Sequence, residues 1–70
     1  MITLSQIQSK IIEAIQESEY NQTQLGKLVG VSQQTISHYL KGDKLPALDT
    51  LANLCDVLDL DPYEVLCLRK

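Results

Sequence analysis

The tightest constraint in this 70-residue chain is a three-residue join. A helical pattern ends at Val29, another begins at Gln33, and only Gly30, Val31 and Ser32 lie between. The first pattern opens at Asn21, a good N-cap, with Gln24 three residues on to complete a capping box. Tyr20 and Leu25 hold the two positions of a hydrophobic staple, and Leu25, Leu28 and Val29 read as its inward residues. Gly30 supplies the left-handed stop. Ser32 caps the second pattern, and Val31 with Ile36 repeats the staple. Two helices joined so abruptly cannot fold back as an antiparallel hairpin. They must cross steeply.

The flanking segments are also helical. Leu4, Ile7, Ile11, Ala14 and Ile15 fall on one face of a helix from about Leu4 to Glu17. After the "GDKLP" loop, Leu48, Leu51, Leu54, Cys55 and Leu58 mark a helix from about Leu48 to Leu58. Asp61, Pro62 and Glu64 are cap, first-turn proline and capping-box acid of a last helix, made apolar by Val65, Leu66 and Leu68. No segment alternates with the period of a strand. The expected fold is all-α: one domain over residues 1–70, five short helices, with a helix-turn-helix over about residues 21–41. The chain has no Trp or Phe, so Leu, Ile and Val must fill a core near the lower size limit for folding without staples.

Several functional classes are disfavoured by composition. No apolar run approaches the ~20 residues that span a bilayer, and no signal segment opens the chain, so a cytoplasmic location is expected. Cys55 and Cys67 then read as reduced, buried small hydrophobes. Two Cys and one distant His lack metal-ligand spacing, and nothing resembles a nucleophile with its base or a phosphate loop. No enzyme activity, cofactor, metal or small-molecule substrate is expected.

The net charge of −3 argues against a nonspecific nucleic-acid coat, which needs a basic face. Yet the charges are segregated. Between Tyr20 and Leu48, Lys27, Lys41 and Lys44 stand against Asp43 alone, while the other acids lie before or after. In the helix after Ser32, Thr35, Ile36, Tyr39 and Leu40 share a core-facing arc at 100° per residue. Gln33, Gln34, Ser37, His38 and Lys41 share the opposite one. That outer arc has neutral hydrogen-bonding groups, a terminal cation and no acid. Glutamine can pair bidentately with adenine, and a good pair discriminates by roughly 1–3 kcal/mol. Such a helix suits the major groove of DNA.

The run "NQTQLGKLVGVSQQTISHYLKGDKLPALDTL" resembles the lambda-repressor/Cro-type helix-turn-helix family. The resemblance rests on Gln22, Leu25, Gly30, Val31, Ser32, Ile36, Gly42, Pro46, Leu48 and Leu51 in order, and extends over roughly Ile7 to Leu68. It implies a five-helix domain binding double-stranded operator DNA as a homodimer, with Gln33 to Lys41 as recognition helix. Gln33, Gln34, Ser37 and His38 would be the base readers. Asn21, Gln22, Thr23, Gln24, Lys41 and Lys44 would contact phosphates, which fix register without reading sequence. In phage repressors of this kind, the residue matching Gln22 also braces the first recognition-helix glutamine, here Gln33.

Three departures from the family pattern stand out. Ile15 and Leu40 stand where many members pair Arg with Glu, so an apolar contact is expected in place of an ion pair. Gly26 replaces a common Ala and permits close helix approach. Asp59 stands where Gly often ends the fourth helix. Tyr39 reads as core, and Val65, Leu68 and Tyr63 are candidates for a dimer interface through the C-terminal helix. The rival reading is an antitoxin-like or adaptor module that keeps the fold for protein contacts. Its support is the acidic isoelectric point, about 4.8.

Overall fold

The chain begins its first helix with a device the apolar pattern does not announce. In the computed structural model, which describes residues 1–69, Thr3 caps α1 (Leu4–Glu17). Its hydroxyl accepts from the Gln6 N–H at 3.3 Å, and the Gln6 side chain accepts from the Thr3 N–H at 2.9 Å. Asn21 and Gln24 make the same reciprocal pair at the start of α2 (Gln22–Val29), as their spacing predicts. Ser32 caps α3 (Gln33–Lys41) by accepting from the Thr35 N–H at 3.1 Å. Next, α4 (Leu48–Val57) starts at Ala47 without a side-chain cap. The last helix, α5 (Pro62–Val65), is a single turn capped by Asp61.

Four of the five helices close in the same way. An N–H two or three residues past the helix bonds back to the carbonyl five positions earlier: Val31 to Gly26, Asp43 to His38, Leu60 to Cys55 and Leu68 to Tyr63. This Schellman closure needs a left-handed residue in between. Gly30 (φ 83°) and Gly42 (φ 81°) take it without strain, but Asp59 (φ 53°) and Cys67 (φ 61°) take it too. Asp59 thus does the work of the glycine it replaces.

The core is formed by Ile11 and Ile15 from α1, Leu25 and Val29 from α2, Ile36 and Tyr39 from α3, Leu54 from α4 and Val65 from α5. Leu25, Ile36 and Leu54 are its fully buried large side chains, each contributing about 1.5–3 kcal/mol by leaving water. Ile15 lies within this cluster and Leu40 packs against it, so apolar packing occupies the place of the family's ion pair.

Three apolar positions expected inside are not. Leu4 lies on the correct face of α1 but at its tip, where nothing reaches over it, and is 68% exposed. Leu28 is 52% exposed because buried Gly26 draws the inward arc of α2 to the other side of Leu25. Leu48 is 86% exposed: the buried face of α4 is centred on Thr50 and Leu54, more than a third of a turn round the axis from it. Leu68, a candidate for the dimer interface, lies beyond α5, which stops at Val65, and is exposed. Val65, a dimer candidate, is instead a core residue. Cys55 and Cys67 are free thiols, half-buried rather than buried. Lys70, the last residue of the expected domain, lies outside the described residues.

Candidate nucleic-acid interface

The placement of α3 begins with a missing side chain in α2. A Cβ built on Gly26 would stand 2.7 Å from the Val31 carbonyl oxygen and 3.3 Å from the Ser32 backbone. Gly26 also accepts from the N–H groups of both Gly30 and Val31, each at 2.9 Å. The turn therefore folds directly onto α2, and only glycine leaves room for it. This close approach lets α3 start three residues after α2 ends and cross it.

Ile36 and Tyr39 anchor α3 to the core, with Leu40 packed beside them. Burial pushes the Tyr39 hydroxyl above its ordinary range; the Thr50 side chain partly offsets this and Asp49 adds to it. Tyr39 is 3% exposed and belongs to the core, as the periodicity predicts.

On the outer face, Gln33, Gln34, His38 and Lys41 are exposed and Ser37 is half-buried. The Gln33 side-chain amide donates to the Gln22 side-chain oxygen at 3.1 Å, linking the first residues of α2 and α3 across the turn. Gln34 is exposed beside this pair on the outer face of α3. Asn21 and Gln24 use their side-chain oxygens in the capping box, which leaves the amide N–H groups of these exposed residues as donors. Thr23 is exposed on the same turn of α2, and Lys44 in the loop after α3. The ten candidate residues thus divide between the first turn of α2, the outer face of α3 and the following loop. Glutamine, asparagine and lysine there offer donors suited to an anionic, hydrogen-bonding partner.

Two contacts on this surface have no counterpart in the sequence reading. Asp43 folds back so that its carboxylate lies 3.2 Å from His38 Nδ1. Gln8, on α1, donates its side-chain amide to the Gly42 carbonyl at 3.0 Å and ties the end of α3 to a different helix. Asp43 could have been suspected, since it follows the glycine stop that sends the chain back over His38. Gln8 could not: it stands 34 positions from its partner with no local pattern to mark it.

A helix-turn-helix family model matches residues 11–65. An uncharacterized HTH-type transcriptional regulator, YgzD, of Bacillus subtilis (strain 168) is 30% identical over 64 residues, covering 91% of this chain and 97% of its own length. Among solved structures, the SOS-response transcriptional repressor LexA from Eubacterium rectale superposes with a TM-score of 0.75 at 25% identity. That match covers 94% of this chain and 73% of the other.

Proposed function

The chain belongs to the helix-turn-helix family of DNA-binding transcriptional regulators, and from that premise we propose that it is a repressor reading a specific operator as a homodimer. The observation that carries this reading is the Gln22–Gln33 hydrogen bond. It spends one glutamine on holding the other at the exposed start of α3, an arrangement of use to a partner but not to the core. In this reading Gln33, Gln34, Ser37 and His38 meet base edges. Asn21, Gln22, Thr23, Gln24, Lys41 and Lys44 meet phosphates on either side.

Two such domains related by a two-fold axis would engage half-sites about 34–36 Å apart on a palindrome. Tyr63, 62% exposed, and Leu68 are the apolar side chains offered at the C-terminal end for that pairing. Repression follows from occupying a promoter in the cytoplasm, and needs neither cofactor nor catalysis. The experiment is selection of binding sequences from randomised duplexes, followed by footprinting. A palindromic consensus protected over two adjacent turns is the expected result; enrichment of no sequence would refute the proposal.

The second reading, a protein-interaction module, draws on a different surface. A groove of about 670 Å³ between the end of α1, the end of α4 and α5 is edged by Glu13, Glu17, Glu19, Asp59, Asp61 and Glu64. Titration with random duplex DNA at two salt concentrations separates the readings. Phosphate contacts make affinity fall steeply with salt, whereas an interaction module shows no such binding.

A further inference from the structure

Schellman closures ordinarily set an apolar residue just past the helix against another in its last turn. At α4 those positions hold Leu60 and Cys55, and at α5 Leu68 and Tyr63. At α3 they hold Asp43 and His38, joined by a hydrogen bond at 3.2 Å. A polar pair thus occupies, on the exposed recognition surface, the positions that are apolar in these two other closures. Both side chains are about half exposed, so the pair adds little to stability. It does fix the orientation of an imidazole on the face that the proposed function assigns to base reading.

We propose that Asp43 is a specificity-determining residue that acts through His38, holding its Nδ1–H so that Nε2 is the atom offered to a base edge. This inference rests on α3 being the recognition helix. The chemistry follows from what each group can do. An ionised carboxylate only accepts hydrogen bonds, so Nδ1 must carry the hydrogen. In the neutral ring Nε2 is then an acceptor, and it has no other partner among the described residues. In the major groove an acceptor suits the exocyclic amino group of adenine or cytosine, whereas the other tautomer would donate to guanine O6 or N7. Asp43 thereby biases which base His38 favours without touching DNA, and it disfavours the turned-over ring that would offer the opposite preference.

Two measurements test this, one of them without DNA. His38 is the only histidine in the chain, so its two ring nitrogens are identified without ambiguity in a long-range ¹⁵N–¹H spectrum. At a pH of about 8.5, where an ordinary imidazole is neutral, the wild-type ring should carry its hydrogen on Nδ1. In Asp43→Ala it should shift toward the Nε2–H form that free histidine favours. A wild-type ring already in the Nε2–H form overturns the proposal whatever the domain binds.

The second measurement compares affinities for all four base pairs at each position of the selected site. Asp43→Ala should lower discrimination at one base pair by about 5- to 10-fold, with an adenine or cytosine preferred there by the wild type. In a His38→Ala background the same substitution should move affinity for every sequence alike, because only the loss of a negative charge remains. Equal effects in the two backgrounds would mean that Asp43 merely repels phosphate, and would overturn the proposal. Wild-type protein without any base preference would overturn the proposed function itself, a result distinct from either of these.

Discussion

Gln33 donates to Gln22 at 3.1 Å across eleven residues of chain, so the first residue of one helix fixes the rotamer of the first residue of the next. If this bond orients Gln33 toward a base, Gln22→Ala should relax preference at the same base pair as Gln33→Ala. The loss should be about 1–3 kcal/mol of discrimination for Gln33, and less for Gln22. The double variant should lose little more than Gln33→Ala alone, because both act through one contact. Neither should change the unfolding free energy by more than about 0.5 kcal/mol, as expected for surface substitutions. Quantitative binding to single-base operator variants checks the first expectations and denaturant unfolding the last.

Gly26→Ala is expected to destabilise the domain although alanine is the better helix former. Helix propensity favours the change by about 1 kcal/mol. The new Cβ, however, would meet the Val31 backbone oxygen at 2.7 Å, and backbone yields less readily than a flexible side chain. Overpacking of this kind costs about 1–3 kcal/mol. Equilibrium unfolding in urea reads the balance, and an increase in stability would mean that the turn is looser than the structure describes.

Asp59→Gly is expected to act in the opposite direction. Asp59 holds φ 53° at the close of α4, a conformation that costs a side-chain-bearing residue about 1–2 kcal/mol. Aspartate tolerates it better than most, and glycine loses more entropy on folding. A net gain of about 0.5–1 kcal/mol is therefore expected in thermal or chemical unfolding.

Asp61 links stability to pH. Partial desolvation opposes its ionisation. Hydrogen bonds from Arg69 and from the Tyr63 N–H, with the Arg69 charge, outweigh it and hold its carboxyl below the usual carboxylate range. A carboxylate more acidic in the folded chain than in the unfolded one stabilises the fold at pH values above its unfolded pKa. That contribution is lost as the pH falls through the lower folded value. Wild type should therefore exceed Asp61→Asn in stability at neutral pH, and the gap should close below about pH 4. Melting curves from pH 7 down to pH 2 read this directly.

Lys41→Ala and Lys44→Ala should weaken binding to operator and random DNA alike. Each should reduce the salt slope of the binding constant by about 1. A change in base preference from either would move that lysine from the phosphates to a base edge.

How much of this was legible in the sequence depends on the range of the interaction. Capping boxes are local, and the one at Asn21 and Gln24 is plain from spacing. The one at Thr3 and Gln6 was equally local but lay ahead of the apolar pattern. The inward residues of α1 from Ile7 to Ile15 also follow from periodicity. Leu28 and Leu48 do not, because hydropathy gives a stripe its width but not its centre. The centre is set by which neighbour is close enough to cover it, and Gly26 and Thr50 face inward because backbone or a hydroxyl needs to fit there. Within the candidate site, the outward set on α3 followed from helical geometry alone. The roles of Asp43 and Gln8 did not, since both depend on how the chain returns after Gly42.

The Gln8 amide on the Gly42 carbonyl means that α3 is tethered at its finish to α1, as it is tethered at its start to α2 through Gln22. Ties at both ends, added to the core contacts of Ile36 and Tyr39, resist rocking of the helix to follow an irregular groove. In the proposed complex much of the adjustment then falls to the duplex, whose resistance to bending and twisting depends on its own sequence. Operator positions that no side chain of this domain reaches should accordingly still be selected, through the stiffness of their base steps.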